Sequence, residues 1–85
     1  NGELTIKYSK PKLLIDAAES LFSGICNDYF MNKWKPETIK KITLLNVSHD
    51  QGFRINGGGV ECKKTGSMEN EKARAYRTSL IEPLQ

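Results

Sequence analysis

Few residues in this 85-residue chain are of types that do chemistry. They are Cys26 and Cys62, the single histidine His49, and the triplet Gly57-Gly58-Gly59. His49 stands beside Asp50, and an imidazole next to a carboxylate suggests an oriented general base. Paired with Cys62 as a thiolate, it suggests a Cys–His nucleophile. Both ideas fail on placement. Neighbouring residues in a turn point to solvent independently, and Cys62 falls on the inward side of the alternating run Val60-Glu61-Cys62-Lys63. The glycine triplet suggests a phosphate cradle, which needs a lysine and a hydroxyl at fixed offsets and a helix directly after it. The residues after this triplet instead alternate as in a strand. Two cysteines and one histidine, with no close-spaced ligand pair, match no common zinc pattern. No catalytic residue, metal or cofactor is expected.

The cysteines fit a structural role better. Cys26 lies at the edge of an apolar helix face and Cys62 on a strand. A helix laid over that strand brings the two Cα atoms within the roughly 4.4–6.8 Å that a disulfide requires. The long loop so closed contributes about 3.5–4 kcal/mol on the chain-entropy argument. That is a large share for a domain this small, which buries only about 60–65% of its unfolded surface. The competing state is two buried free thiols. We expect the Cys26–Cys62 bond, and with it an extracytoplasmic, periplasmic or secreted location.

Binding chemistry is concentrated in Lys33, Trp34, Lys35, Lys40 and Lys41, opposed only by Glu37. Lysines interleaved with an aromatic residue suit single-stranded nucleic acid or anionic lipid. They also suit a solvated helix end, where cations complement the C-terminal dipole. A second basic set, Lys63, Lys64, Arg74 and Arg77, is diluted by Glu61. The formal net charge of +3 is mild for a nucleic-acid binder. Asn46-Val47-Ser48 matches a glycosylation sequon but falls in an expected strand.

The elements that position these residues can be read from periodicity. Leu4, Ile6 and Tyr8 alternate with charged or polar residues, which predicts a first strand. Ser9 as a cap and Pro11 in the first turn predict a helix start. Leu14, Ala18, Leu21, Phe22, Ile25 and Tyr29 then share an arc of about 100° on a helix of about six turns. Gly24 lies inside that helix, where another backbone can pass close. Pro36 stops the helix near Trp34 and allows one further turn. Residues 36–47 read either as one helix or as that turn followed by a strand from Ile42. Threonine, valine and asparagine favour the strand. His49, Asp50, Gln51 and Gly52 form a turn, with Gly52 free to take positive φ.

Residues 53–64 have two geometries. Asn56-Gly57 can close a hairpin, or the chain can run straight with the glycines forming a bulge or admitting the helix. The straight version leaves the polar loop around Gly66–Glu71 as the next turn. It pairs residues 73–81 as the last strand, with Tyr76, Thr78 and Leu80 on one face and Pro83 ending it. The predicted fold is therefore α+β: one long amphipathic helix packed across a small antiparallel sheet of three or four strands, in the order β-α-β-β-β. In element order this resembles the layout of cystatin-like domains. The resemblance is to architecture alone, because the glutamine-valine-glycine loop those inhibitors use has no counterpart beyond Gln51-Gly52.

A chain of this length is expected to form one domain over residues 1–85. Its 38% apolar and 27% charged content suits a globular chain. No apolar run reaches the ~18 residues of a membrane span. The strand pattern directly after Asn1 leaves no room for a signal peptide within the chain. These features point to a small non-catalytic extracytoplasmic protein that acts on another protein, with exposed sheet edges available for pairing. The alternative is a cytosolic nucleic-acid-binding module that uses the lysine cluster and Arg54.

Overall fold

The computed structural model describes residues 2–84. The chain runs β1 (Glu3–Lys7), α1 (Ile15–Asn32), a single 3-10 turn (Pro36–Thr38), β2 (Lys41–Leu45), β3 (Gly52–Ile55), α2 (Gly59–Thr65), α3 (Asn70–Ser79) and β4 (Ile81–Pro83). The 4 strands form one sheet in the order β1-β2-β3-β4. The fold is α+β, with one long helix over a small sheet, as periodicity predicts.

The sheet is mixed rather than antiparallel. β1 runs parallel to β2, while β2–β3 and β3–β4 are antiparallel. The reason is connectivity: α1 carries the chain back across the sheet, so β2 starts again from the end where β1 started. Strand register places two apolar rows on the helix-covered face, Leu4–Ile42–Ile55–Ile81 and Ile6–Leu44–Phe53–Pro83. Ala18, Phe22 and Cys26 of α1 pack on them, with Cys62 of α2 and Leu13 of the β1–α1 linker. The other face carries Glu3–Lys41, Thr5–Thr43–Arg54–Glu82 and Lys7–Leu45–Gly52.

Helix α1 starts later than its sequence suggests. Ser9 and Pro11 do not begin it, and the first helical residue is Ile15. Residues 8–14 are irregular, with bends at Ser9, Lys10 and Pro11, and are held by the turn after β2. Val47 N–H donates to the Lys10 carbonyl at 2.8 Å. The Gln51 side chain brackets Leu13, accepting from its N–H at 2.7 Å and donating to its carbonyl at 2.8 Å. Leu14 is therefore 63% exposed and lies outside the apolar ridge, which is centred on Ala18, Phe22 and Cys26.

Asn46 is the hub of that turn and is 1% exposed. Its Nδ2 donates to the Pro11 carbonyl at 2.7 Å and to Asp50 Oδ1 at 2.8 Å. Its Oδ1 accepts from the N–H groups of Asp50 and Gln51 at 3.0 and 3.1 Å. With both amide hydrogens engaged, Asn46 offers no nitrogen to a glycan, so the sequon is inert in the folded chain. Positive φ falls on His49 (62°), not on Gly52. Gly52 is needed for a different reason: a Cβ there would run into the Leu44 carbonyl across the β2–β3 pair.

Neither geometry expected for residues 53–64 occurs. β3 ends at Ile55, and the glycine triplet leads into α2, so Val60 and Cys62 lie on a helix. Their period-two spacing is coincidental, since Val60 is 46% exposed and the buried pair is Cys62 and Thr65. Residues 73–79 are also helical, in α3, and only Ile81–Pro83 form a strand. Ala73, Tyr76, Arg77 and Leu80, the inward residues of this segment, have helical spacing. The element order thus departs from the cystatin-like layout after β3.

The Asn46 network yields a stability prediction. Asn46→Ala leaves the Pro11 carbonyl and two turn N–H groups without partners, at about 1–3 kcal/mol for a buried group so orphaned. Urea denaturation should show a loss of at least about 2 kcal/mol.

Candidate functional site

The most promising binding feature is a groove at the C-terminal end of α1. It has a volume of about 450 Å³ and is lined by Tyr29, Phe30, Lys33, Trp34, Lys35, Pro36 and Lys63. Its shape is set by how α1 stops. Lys33 takes the left-handed conformation (φ 52°, ψ 41°), and its N–H donates back to the Tyr29 carbonyl at 2.8 Å. This reverses the chain and turns Trp34 back onto the helix. The Trp34 indole N–H donates to Asp28 Oδ2 at 3.1 Å. Its ring meets Tyr29 edge-on at 4.9 Å, and Tyr29 meets Phe30 in the same way at 5.2 Å. Such T-shaped pairs stabilise by about 0.5–1.5 kcal/mol beyond their buried area. The aromatic floor is thus built before any ligand arrives, while Phe30 remains 43% exposed.

The far wall comes from α2. The Cys26–Cys62 disulfide joins α1 to α2 with a Cα separation of 5.0 Å. It sets the residue after Cys62, Lys63, beside the ring cluster. The α2 C-terminus also lies against Phe30, since a Cβ at Gly66 would sit 3.2 Å from Phe30 Cζ. The glycine triplet seats the other end of α2. Gly59 N–H donates to the Ile39 carbonyl at 2.8 Å. A Cβ at Gly58 or Gly59 would overlap the carbonyls of Ile39 or Pro36. Backbone therefore packs on backbone, and only glycine permits it.

A helix does come after the triplet, so the expected strand is not the reason a phosphate cradle fails. The N–H groups decide. Gly58 N–H donates to Glu61 Oε1 at 2.8 Å, as in half of a capping box, and Gly59 N–H is bound to Ile39. Both glycines are buried.

The five residues expected to form one basic patch do not stay together. Lys33, Trp34 and Lys35 line the groove, joined by Lys63 from the second basic set. Lys40 and Lys41 leave it. Lys41 begins β2 opposite Glu3, and the Lys40 stem lies against Gly2. The 3-10 turn of residues 36–38 carries the chain away between the two lysine pairs. Arg77 is also committed elsewhere: its Nε donates to Glu19 Oε2 at 3.1 Å, tying α3 to α1. Arg54 lies on the open sheet face, 4.0 Å from Glu82.

The residues that suggest a nucleophile in the sequence are far from such a role. Cys62 is oxidised and fully buried. Asp50 accepts from Asn46 Nδ2 and from Ser48 Oγ, at 2.8 and 2.9 Å, rather than orienting His49. Those two bonds hold its carboxyl below the ordinary aspartate value. Among the described residues no group of three or more metal-ligating side chains is assembled. Among them, too, no helix is long and apolar enough to cross a membrane.

Comparison with protein-family models, curated proteins and solved structures finds no match to this chain.

Because the disulfide joins the two walls, its removal should be felt in both stability and shape. A Cys26→Ala/Cys62→Ala variant should lose about 3–4 kcal/mol in urea denaturation. Trp34 emission, from the only tryptophan in the chain, reports whether the groove changes with it.

Proposed function

We propose that this protein is a non-catalytic binding module of an extracytoplasmic compartment, and that it acts by gripping an acidic segment of another protein in the Tyr29–Trp34 groove. The observation that carries this reading is the pairing of a preformed aromatic floor with a cationic rim. Lys33, Lys35 and Lys63 surround Phe30 and Trp34. Among the described residues none of these lysines has an ion-pair partner. A peptide carboxylate would meet a lysine at the rim, and an apolar or aromatic side chain would cover Phe30. Anchors of this kind, one apolar contact ringed by polar ones, carry most of the energy of protein interfaces. Location rests on the disulfide, because such bonds persist in oxidising compartments and are scarce in the cytosol.

Nucleic acid is the second candidate partner, and two features of the site count against it. Tracking a phosphate backbone requires a continuous basic strip, whereas Lys40 and Lys41 do not line the groove with Lys33 and Lys35. Arg54, the other cation that reading needs, faces Glu82.

A synthetic peptide alternating glutamate and phenylalanine provides the test, with Trp34 fluorescence as the readout. Saturable binding should weaken at least about tenfold in Phe30→Ala and in Lys63→Glu, the size of a typical anchor residue. No saturation at millimolar peptide would overturn the proposal. So would tighter binding of a single-stranded oligonucleotide of equal charge, lost steeply between ~50 and 200 mM salt.

The location has its own test. Alkylation of free thiols before lysis should leave Cys26 and Cys62 unmodified, and alkylation of both in the native cell would sink the extracytoplasmic assignment.

A further inference from the structure

β1 is an edge strand, paired only with β2. The two bonds that flank the β1–β2 ladder show how its backbone is oriented. Gly2 offers its carbonyl to Lys41 N–H at 3.1 Å, and Tyr8 N–H donates to the Leu45 carbonyl at 2.9 Å. In a parallel pair alternate residues turn both N–H and C=O to the same side. Even-numbered residues of β1 therefore face β2, and Glu3, Thr5 and Lys7 direct their backbone groups outward, away from the sheet.

These three residues also share the open face of the sheet, with exposed side chains. The sequence Glu3-Leu4-Thr5-Ile6-Lys7 is complementary to its own reversal. When two copies are laid antiparallel about Thr5, Glu3 meets Lys7 of the second copy and Lys7 meets Glu3. Thr5 meets Thr5, and Leu4 meets Ile6 on the helix side. All three outward-facing residues then form hydrogen-bonded pairs, each exchanging two N–H···O bonds. A shift of two residues in either direction keeps fewer pairs and sets a charge opposite threonine. Opposite charges directly across an antiparallel pair contribute about 0.2–1 kcal/mol relative to alanine pairs.

The helix side of this edge is prepared as well. A groove of about 400 Å³ runs beside Leu4, lined by Leu21, Gly24, Ile25 and Ile39 among others. Beyond the local backbone of its own helix, Gly24 has no atom within 4 Å of where its Cβ would be. Within one chain, therefore, nothing passes close enough to explain a helix-interior glycine that costs about 1 kcal/mol relative to alanine.

We propose that this edge is a homodimer interface, in which β1 strands of two copies pair antiparallel about Thr5 and join two 4-stranded sheets into one. The contact is isologous, with the same patch on both sides, so it closes at two copies. Charged edge residues ordinarily deter pairing. Here the signs at the two ends of β1 are opposite, so the strand accepts its own reversed copy while repelling strands of other charge patterns. This interface is independent of the acidic-segment reading of the Tyr29–Trp34 groove.

A charge swap tests it. Sedimentation equilibrium of the wild-type chain at high micromolar concentration should give twice the monomer mass. Glu3→Lys and Lys7→Glu each place like charges opposite one another twice per dimer, and each should weaken association at least about tenfold. The double variant should restore it. Thr5→Pro removes an outward N–H while sparing the bonds to β2, and should give a monomer with an unchanged circular dichroism spectrum. In the wild-type chain, amide exchange at Glu3, Thr5 and Lys7 should slow as concentration rises. That readout needs no variant to fold. A wild-type monomer at millimolar concentration overturns the proposal, and so does a dimer that is indifferent to these substitutions. Failure of the double variant to rescue the dimer overturns it too.

Discussion

The buried bond between Cys26 and Cys62 is the constraint on which the arrangement of the second half of the chain depends. Helix α2 has seven residues, far below the length at which a helix persists in water. It contributes two buried side chains to the interior, Cys62 and Thr65, and Thr65 uses its hydroxyl on the Cys62 carbonyl at 2.6 Å. So few contacts do not hold a helix in place. The covalent link to the middle of α1 does, and the direct packing of Gly58 and Gly59 on the backbone of residues 36–39 sets the other end. With α2 fixed, the chain is aimed so that α3 can run beside α1 and return β4 to the sheet.

β2 is consequently held at both ends by unlike means. At its start, Gly59 N–H binds the Ile39 carbonyl and the glycines crowd that segment. At its finish, Asn46 and Gln51 knit the turn to the linker that enters α1. One end uses the absence of side chains and the other uses polar side chains whose hydrogen-bonding groups are taken up. Between them lie Ile42 and Leu44, both fully buried. In a chain this short, with little apolar surface to bury, two local clamps on the central strand limit the freedom that the core alone would leave.

The parts of this fold that depend on long apolar periodicity are legible in the sequence. The β1 alternation, the α1 stripe from Ala18 onward, the strand from residue 42 and the turn before β3 occur where the pattern places them, because each is decided by a repeat over several residues, whereas the start of α1 and the place of Leu14 do not. The Cys26–Cys62 pairing is legible too, though on a different geometry from the one expected: Cys62 lies on α2 rather than on a strand beneath the helix, and Cys26 lies in the buried ridge of α1 rather than at its edge. The second half is not. In α2 the apolar residues Val60 and Cys62 are too few to define a period, and tertiary contact chooses helix. In residues 70–77 the signal is present but competes with a strand-like alternation: asparagine aside, the run Glu71-Lys72-Ala73-Arg74-Ala75 consists of strong helix formers, and Ala73, Tyr76, Arg77 and Leu80 keep helical spacing. The lysine patch misleads because proximity in sequence is not proximity in space. The 3-10 turn at Pro36 separates Lys40 and Lys41 from Lys33 and Lys35, and the disulfide brings in Lys63 from a helix that the sequence does not reveal.

Trp34 occupies the boundary between the two grooves, lining both the aromatic–lysine groove and the apolar groove beside β1. Its indole is fixed by a hydrogen bond to Asp28 and by a T-shaped contact with Tyr29. It is therefore a shared wall rather than a mobile gate. A side chain held on two sides can pass a displacement only by shifting the residues that hold it, Asp28 and Tyr29, which belong to the last turns of α1. Any energetic coupling between the two grooves must run through that end of the helix, and it must be reciprocal, since each site would alter the other by the same free energy. The Asp28–Trp34–Tyr29 unit thus links the two grooves, and under the proposals above they would be two binding faces on one disulfide-braced scaffold.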